Sequence, residues 1–121
     1  MKKILFLSMM LVTLMACKNE NPLLVEQNTP YGVPAFDKVK IEHYLPAFEK
    51  AIAENEAEIA AIANNPDAPT FANTIEALDR SGELLRKARG TFSPLSSSNS
   101  TDEMRALEKE LSPLFSAHSD D

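Results

Sequence analysis

The segment from Asn64 to Leu85, "NNPDAPTFANTIEALDRSGELL", decides the fold of this chain. Asparagine tolerates the left-handed conformation of a helix cap and proline cannot continue a helix, so a first helix is predicted to end at Asn64-Asn65-Pro66. A helical pattern resumes after Thr70, which can cap the next helix through its side-chain oxygen. Asn73 with Glu76 offers a second start at capping-box spacing, and both starts stay open. Either start predicts a helix–loop–helix with a short, proline-stiffened loop.

Amphipathic patterns on both sides of this loop predict the two helices of an antiparallel hairpin. The first is expected to begin between Glu42 and Leu45, because Pro46 is tolerated only in a first turn, where its missing N–H leaves no bond unmade. Asn55 interrupts its apolar face, where a large apolar residue would be expected. The residues of that face are Leu45, Phe48, Ile52, Ile59 and Ile62.

The second helix is predicted to present one apolar face, made of Phe71, Ile75, Leu78, Leu85, Ala88 and Phe92. Gly82 falls within that face, where two helices could cross closely, and a glycine there costs up to about 1 kcal/mol of helix propensity. The following stretch, "TFSPLSSSNS", has two interpretations. It is either a loop or the end of the second helix, kinked at Pro94.

A third helix is predicted from Ser100, which stands at capping-box spacing from Glu103. Its residues recur every three or four positions, namely Met104, Leu107, Leu111, Leu114 and His118. Residues 41–121 are therefore predicted to be all-α, an antiparallel helical hairpin plus a third helix.

The first sixteen residues are typical of a signal peptide. Lys2 and Lys3 precede an apolar run, Ile4 to Ala16, that is too short to cross a bilayer comfortably. Cys17 follows directly in "LMAC", which resembles the lipobox of bacterial lipoproteins. Cys17 is therefore the predicted lipidation site, and the chain is expected outside the cytoplasm on a bacterial membrane. The alternative is ordinary cleavage nearby that leaves an idle thiol.

Residues 17–40 are predicted to form a lipidated tether and an extended arm, because they hold three prolines and no sustained period. Leu23, Leu24 and Val25 are expected to dock on the helices, since a purely flexible linker would omit them. Cys17 is the only cysteine, so no intrachain disulfide can form.

Composition excludes several kinds of function. The formal net charge of −6 argues against nucleic acid, which is bound through lysines and arginines on phosphates. The only two histidines, His43 and His118, are distant in sequence and belong to no HExxH, so no metal ligand is predicted. No base stands beside the serine cluster, and no glycine-rich phosphate loop exists, so no catalytic or cofactor-binding residue is predicted.

The stretches "NPLL", "TPYGVPAFDKVKIEHYLPAFEKAI", "NNPDAPTFANTIEALDRSGELL" and "EKELSPLFSAHSDD" resemble the N-terminal region of the peptidyl-dipeptidase branch of the thimet oligopeptidase family. This family consists of zinc metallopeptidases, with oligopeptidase A as a related member. The resemblance covers nearly everything from Asn21 to Asp121. One departure is Ala72, where the family usually carries Glu, and its loss removes an acid from a first helical turn.

The resemblance implies a much longer, almost wholly helical protein with two halves around a deep channel. Zinc would sit there on an HExxH helix, and short unstructured peptides would lose C-terminal dipeptides. None of those catalytic residues can be placed on this sequence. The chain is therefore expected to be an N-terminal fragment that supplies channel-wall helices, binds no zinc and is inactive alone, with the remaining peptidase domain downstream. The alternative is a stand-alone helical lipoprotein that acts as a binding module.

Overall fold

The fold is all-α, as predicted, in a computed structural model that describes residues 20–26 and 29–120. The predicted signal peptide and Cys17 lie outside these residues. The α-helices are α1 (Tyr44–Ala63), α2 (Ala77–Arg80), α3 (Glu83–Ser98) and α4 (Asp102–Asp120). Short 3₁₀ turns occupy Pro30–Gly32 and Ile41–His43, and a π-helical segment, Phe71–Glu76, leads into α2. In the described ranges there is no strand, and no helix is long and apolar enough to span a membrane.

Helices α1, α3 and α4 pack side by side with alternating directions. Tyr44 at the start of α1 contacts Phe92 late in α3, with ring centroids 5.1 Å apart, so α1 and α3 are antiparallel. Phe48 contacts Phe115 in α4, and Asn55, further along α1, contacts His118, further along α4. Helix α4 therefore runs parallel to α1, and α1 packs against both other helices.

The core is centred on Phe48, which is fully buried in α1. Its ring meets Phe92 of α3 and Phe115 of α4 edge-on, at centroid distances of 5.5 and 4.9 Å. Edge-to-face pairs of this kind contribute about 0.5–1.5 kcal/mol beyond the area they bury. The buried apolar residues are Leu23, Tyr44, Ala47, Phe48, Ala51, Leu85, Ala88, Phe92, Met104, Leu107 and Leu111.

The loop between the hairpin helices begins differently from the prediction. Helix α1 ends at Ala63, but Asn64 has φ −96°, so the expected left-handed cap is wrong. Both the backbone N–H and the side-chain amide of Asn64 donate to the Ala60 carbonyl, at 3.0 and 2.7 Å. The asparagine side chain thus helps to satisfy the helix end in an ordinary conformation, and the left-handed turn is not needed.

The next helical segment starts at Thr70, which resolves the alternative left open by the sequence. The Thr70 hydroxyl accepts from the Asn73 N–H at 3.1 Å, and the Asn73 side-chain oxygen accepts from the Thr70 N–H at 2.7 Å. Asn73 is therefore the partner in this capping box and not a cap of its own. Glu76 instead pairs with Arg80 one turn later, at 3.4 Å.

The predicted continuous second helix is wrong, because the chain breaks at Gly82. This glycine has φ +68°, the left-handed region, and a Cβ placed on it would lie only 3.1 Å from the Asn55 amide nitrogen. The Gly82 N–H donates to the Glu58 carboxylate at 2.7 Å. The acid thereby satisfies a backbone group at the start of α3, where the helix dipole also favours negative charge.

The break separates the two halves of the predicted apolar face. Leu85, Ala88 and Phe92, which follow Gly82, are buried. Phe71, Ile75 and Leu78, which precede it, are 69%, 53% and 52% exposed. The face of α1 is also buried only in part, since Ile59 near its end is 41% exposed.

The serine-rich connection belongs to α3, as one of its two interpretations predicted. The helix continues through Pro94 to Ser98, and the Ser98 hydroxyl donates to the Pro94 carbonyl at 2.6 Å. Helix α4 is capped one residue later than predicted, because the Thr101 hydroxyl accepts from the Met104 N–H at 3.2 Å. Ser100 contacts Arg105 instead.

The N-terminal arm docks on the bundle, as expected for its apolar residues. Leu23 is only 1% exposed and belongs to the core, and Leu24 packs against that core. The Asn21 amide donates to the His43 carbonyl at 2.7 Å, and the Lys87 ammonium donates to the Val25 carbonyl at 2.9 Å. This part of the arm is therefore tied to both α3 and the turn that leads into α1.

Candidate functional site

The two histidines lie at opposite ends of the bundle. His43 precedes α1, and its Nδ1 accepts from the Lys40 N–H at 3.0 Å. His118, late in α4, makes a 3.0 Å hydrogen bond through Nε2 to Asn55 Oδ1. Twelve residues of helix separate position 43 from Asn55, which is about 18 Å along α1. The two imidazoles therefore cannot share a metal ion.

The described residues do not fit a zinc site. Residues 20–26 and 29–120 contain no group of three or more histidine, cysteine, aspartate or glutamate side chains that could hold a metal ion. A catalytic zinc needs three protein ligands and an open position.

A polar junction joins α1, the Gly82 break and α4. Its members are Asn55, Glu56, Glu58, Gly82 and His118. Asn55 is 8% exposed and bonds to His118, while Glu58 holds the Gly82 N–H. His118 Nδ1 lies 3.6 Å from Glu56 Oε1, too far for a hydrogen bond but close enough for an ion pair when the ring is protonated. The junction therefore fixes how α1, α3 and α4 meet.

The sequence contained only one sign of this junction, the interruption of the α1 stripe by Asn55. A buried amide must be hydrogen-bonded, so its place on the apolar face implied a partner. The partner, His118, lies sixty-three residues away. The role of Glu58 could not be predicted from the sequence, because the group that it binds is the backbone N–H of Gly82, and every residue except proline has such a group.

An exposed apolar face is the surface most suited to bind another protein segment. It consists of Phe71, Ile75 and Leu78 on the segment between the loop and Gly82, and it is flanked by Asp79 and Arg80. These residues repeat at four- and three-residue spacings, so they lie on one side of the segment. The face is made of apolar side chains, so a partner would meet it through apolar contact.

The buried phenol of Tyr44 has an altered acidity. Burial raises the pKa of its phenol above the ordinary tyrosine value, and the nearby Thr91 hydroxyl partly opposes this. The Thr91 hydroxyl donates to the Ala88 carbonyl at 2.8 Å, and the buried Tyr44 hydroxyl near it makes no well-formed hydrogen bond. A phenol of raised pKa in a packed core is a structural feature and not a poised acid or base.

This helical bundle, with its exposed apolar face, is homologous to bacterial peptidases of the thimet oligopeptidase family. Over 92 residues it is 44% identical to the dipeptidyl carboxypeptidase of Escherichia coli (strain K12). This matched stretch is 76% of this chain and 14% of that protein. The dipeptidyl carboxypeptidase of Salmonella typhimurium is 40% identical over 101 residues, 84% of this chain and 15% of its own length.

A more distant similarity extends to a second kind of peptidase. The oligopeptidase A of Haemophilus influenzae is 33% identical over 99 residues, 82% of this chain and 14% of that protein. No protein-family model matches the chain. The family predicted from the sequence is thus confirmed, and the chain spans about a seventh of the length of the curated relatives that it matches.

Proposed function

We propose that this chain is the N-terminal helical part of a zinc metallopeptidase of the peptidyl-dipeptidase type. The observation that carries the proposal is 44% identity to a dipeptidyl carboxypeptidase over a stretch that is only 14% of that protein. In this proposal the helices form part of a channel wall, and the zinc and the HExxH lie elsewhere in the longer protein. The substrates are short unstructured peptides, which lose C-terminal dipeptides.

The exposed apolar face supports this proposal. A cluster of three large apolar side chains on one side of a segment is typical of a surface that contacts another protein segment, and is less common on a surface that faces only solvent. In a longer peptidase, the rest of the protein would pack against Phe71, Ile75 and Leu78.

The genomic sequence that follows the codon for Asp121 is the most direct test. We expect an in-frame continuation that encodes HExxH. A natural stop at this position in independent genomes would overturn the proposal and would favour a stand-alone helical lipoprotein that binds a partner without catalysis.

The 121-residue chain alone is expected to release no dipeptides from short peptides, with or without added zinc. Hydrolysis by zinc needs a preorganised set of ligands beside a general base. The described residues contain no group of three or more histidine, cysteine, aspartate or glutamate side chains that could hold the metal. Product release can be followed by mass spectrometry, with the E. coli dipeptidyl carboxypeptidase as the positive control. Chelator-sensitive release of dipeptides by the purified chain would contradict this expectation.

We also propose that Cys17 anchors the protein to a bacterial membrane through covalent lipid, outside the cytoplasm. The support is its place after a short apolar run in the lipobox-like "LMAC". Several acyl chains, at about 0.8 kcal/mol per buried CH₂, would hold the protein firmly. Cells that express the wild type should incorporate radioactive fatty acid into the protein, and the Cys17→Ser variant should not. Equal labelling of both, or labelling of neither, would count against the anchor.

A further inference from the structure

The N-terminal arm is attached to one end of the bundle almost as soon as the described chain begins. The Asn21 side chain donates to the His43 carbonyl at 2.7 Å and accepts from the Leu23 N–H at 3.0 Å. The Leu24 N–H donates to the Asn21 carbonyl at 2.9 Å, which closes a turn. This turn inserts Leu23 into the core, where it is 1% exposed. Asn21 is therefore part of the folded unit and not part of a free tether.

The sequence leaves very little chain between this attachment and the proposed lipid. Only Lys18, Asn19 and Glu20 separate Cys17 from Asn21. A polypeptide spans at most about 3.6 Å per residue, so Asn21 lies within about 14 Å of Cys17 in any conformation of these residues. A docked arm thus shortens the effective tether from the 26 residues between Cys17 and α1 to the four residue steps between Cys17 and Asn21.

We propose that the end of the bundle next to His43 faces the lipid surface at close range, and that the opposite end faces away from it. The end next to His43 is called the proximal end, and it carries Asn21, Lys38, Lys40 and His43. The opposite end is called the distal end, and it carries the loop from Asn64 to Thr70. The inference rests on the proposed lipidation of Cys17. Helix α1 has 20 residues and is therefore about 30 Å long, which sets the scale of the separation between the two ends.

Charge does not choose the end that meets the lipid. At the proximal end, the exposed Lys38 and Lys40 stand beside Glu20 and Glu42. The acidic start of α4, with the exposed Asp102 and Glu103, lies at the same end, because α4 contacts the 41–43 turn. The orientation therefore rests on the short tether, which holds one end of a rigid bundle near the surface.

This orientation would keep the apolar face off the bilayer. Phe71, Ile75 and Leu78 follow the distal loop and precede Gly82, which packs against Asn55 well along α1. The face would thus be held away from lipid and left available to another protein segment.

Fluorescence quenching in vesicles tests the orientation. The full chain is produced in a bacterial host, purified as the lipidated protein and reconstituted into phosphatidylethanolamine–phosphatidylglycerol vesicles that contain a headgroup-nitroxide lipid. Because lipidation occupies the thiol of Cys17, a Lys38→Cys or Asp67→Cys substitution supplies a single site for a fluorophore. We expect severalfold stronger quenching at position 38 than at position 67. Equal quenching, or stronger quenching at position 67, would overturn the inference.

Two further variants test whether the docked arm is the cause. A flexible Gly/Ser insertion of about twelve residues between Lys18 and Asn19 lengthens the tether without touching the fold and should greatly reduce the quenching at position 38. Asn21→Ala should act in the same direction by releasing the arm, whereas Glu26→Ala, an exposed change in the same arm, should have no effect. Unchanged quenching after the insertion would overturn the inference.

Mass spectrometry of the purified protein separates the two proposals. Acyl chains on Cys17 together with equal quenching at both positions would overturn the orientation alone. A chain without acyl groups would overturn the lipid anchor and, with it, the orientation.

Discussion

At the scale of single residues, Tyr44 combines favourable packing with an unfavourable polar group. Tyr44 is 1% exposed and its ring meets Phe92 edge-on, while its hydroxyl is buried near the Thr91 hydroxyl without a well-formed hydrogen bond. A buried, unsatisfied polar group costs about 1–3 kcal/mol. The same burial opposes ionisation of the phenol and raises its pKa.

This raised pKa predicts a loss of stability in alkaline solution. Above the ordinary tyrosine pKa of about 10, the unfolded chain loses the phenol proton while the folded chain keeps it. The unfolded state then binds fewer protons, so the free energy of unfolding falls as the pH rises through that range. Tyr44→Phe should remove this contribution and leave stability at neutral pH equal or higher. Urea unfolding of the wild type and the variant at neutral and alkaline pH measures the difference.

The chain offers a matched control, because its only other tyrosine, Tyr31, is fully exposed. Tyr31→Phe should leave the alkaline loss of stability in place. Identical pH dependence in the wild type and in Tyr44→Phe would show that the buried phenol does not contribute.

At the scale of elements, Gly82 decides where one helix ends and another begins. The left-handed conformation is easily adopted by glycine and costs other residues about 1–2 kcal/mol. The close approach of Asn55 leaves little room for a Cβ, and the Glu58 carboxylate occupies the freed N–H. Both contacts come from α1, so the break between α2 and α3 is a property of the packed hairpin.

Two glycine-to-alanine substitutions should change stability in opposite directions. Gly82→Ala is expected to destabilise the chain by about 1–2 kcal/mol, because alanine must adopt a positive φ beside the Asn55 amide. Gly90→Ala in α3 is expected to stabilise it by up to about 1 kcal/mol, because an added Cβ there has no atom within 4 Å and alanine has the higher helix propensity. Chemical denaturation at neutral pH measures both values. A stabilising Gly82→Ala would mean that a continuous helix can form at this position.

At the scale of the whole molecule, the bundle buries only part of its apolar surface. Core residues from the arm, α1, α3 and α4 surround Phe48, while Phe71, Ile75 and Leu78 stand exposed on the other side of the Gly82 break. A contiguous exposed apolar patch without a partner promotes association. The isolated chain is therefore expected to self-associate as its concentration rises.

The double substitution Phe71→Ser with Ile75→Ser should abolish this association and change the free energy of unfolding little, because both side chains are more than half exposed. Val33→Ser, which removes a similarly exposed side chain from the arm, is the matched control and should leave association unchanged. Sedimentation velocity over a range of concentrations gives the comparison. A wild-type chain that stays monomeric throughout would show that the apolar face does not drive self-association.

Local chemistry allowed much of this protein to be predicted from its sequence alone. The all-α class, the hairpin and the loop before Thr70 could be predicted, because the signals for them act between near neighbours in the chain. These signals are the prolines, a capping threonine and apolar residues spaced three and four positions apart. The peptidase family was readable as well, because the block around the loop is long and specific. The tertiary structure alone decided the break at Gly82, the bond of Asn55 to His118 and the orientation of Phe71 toward solvent. Each of these depends on contacts between residues far apart in the chain, and helical periodicity contains no information about which face a distant helix will cover.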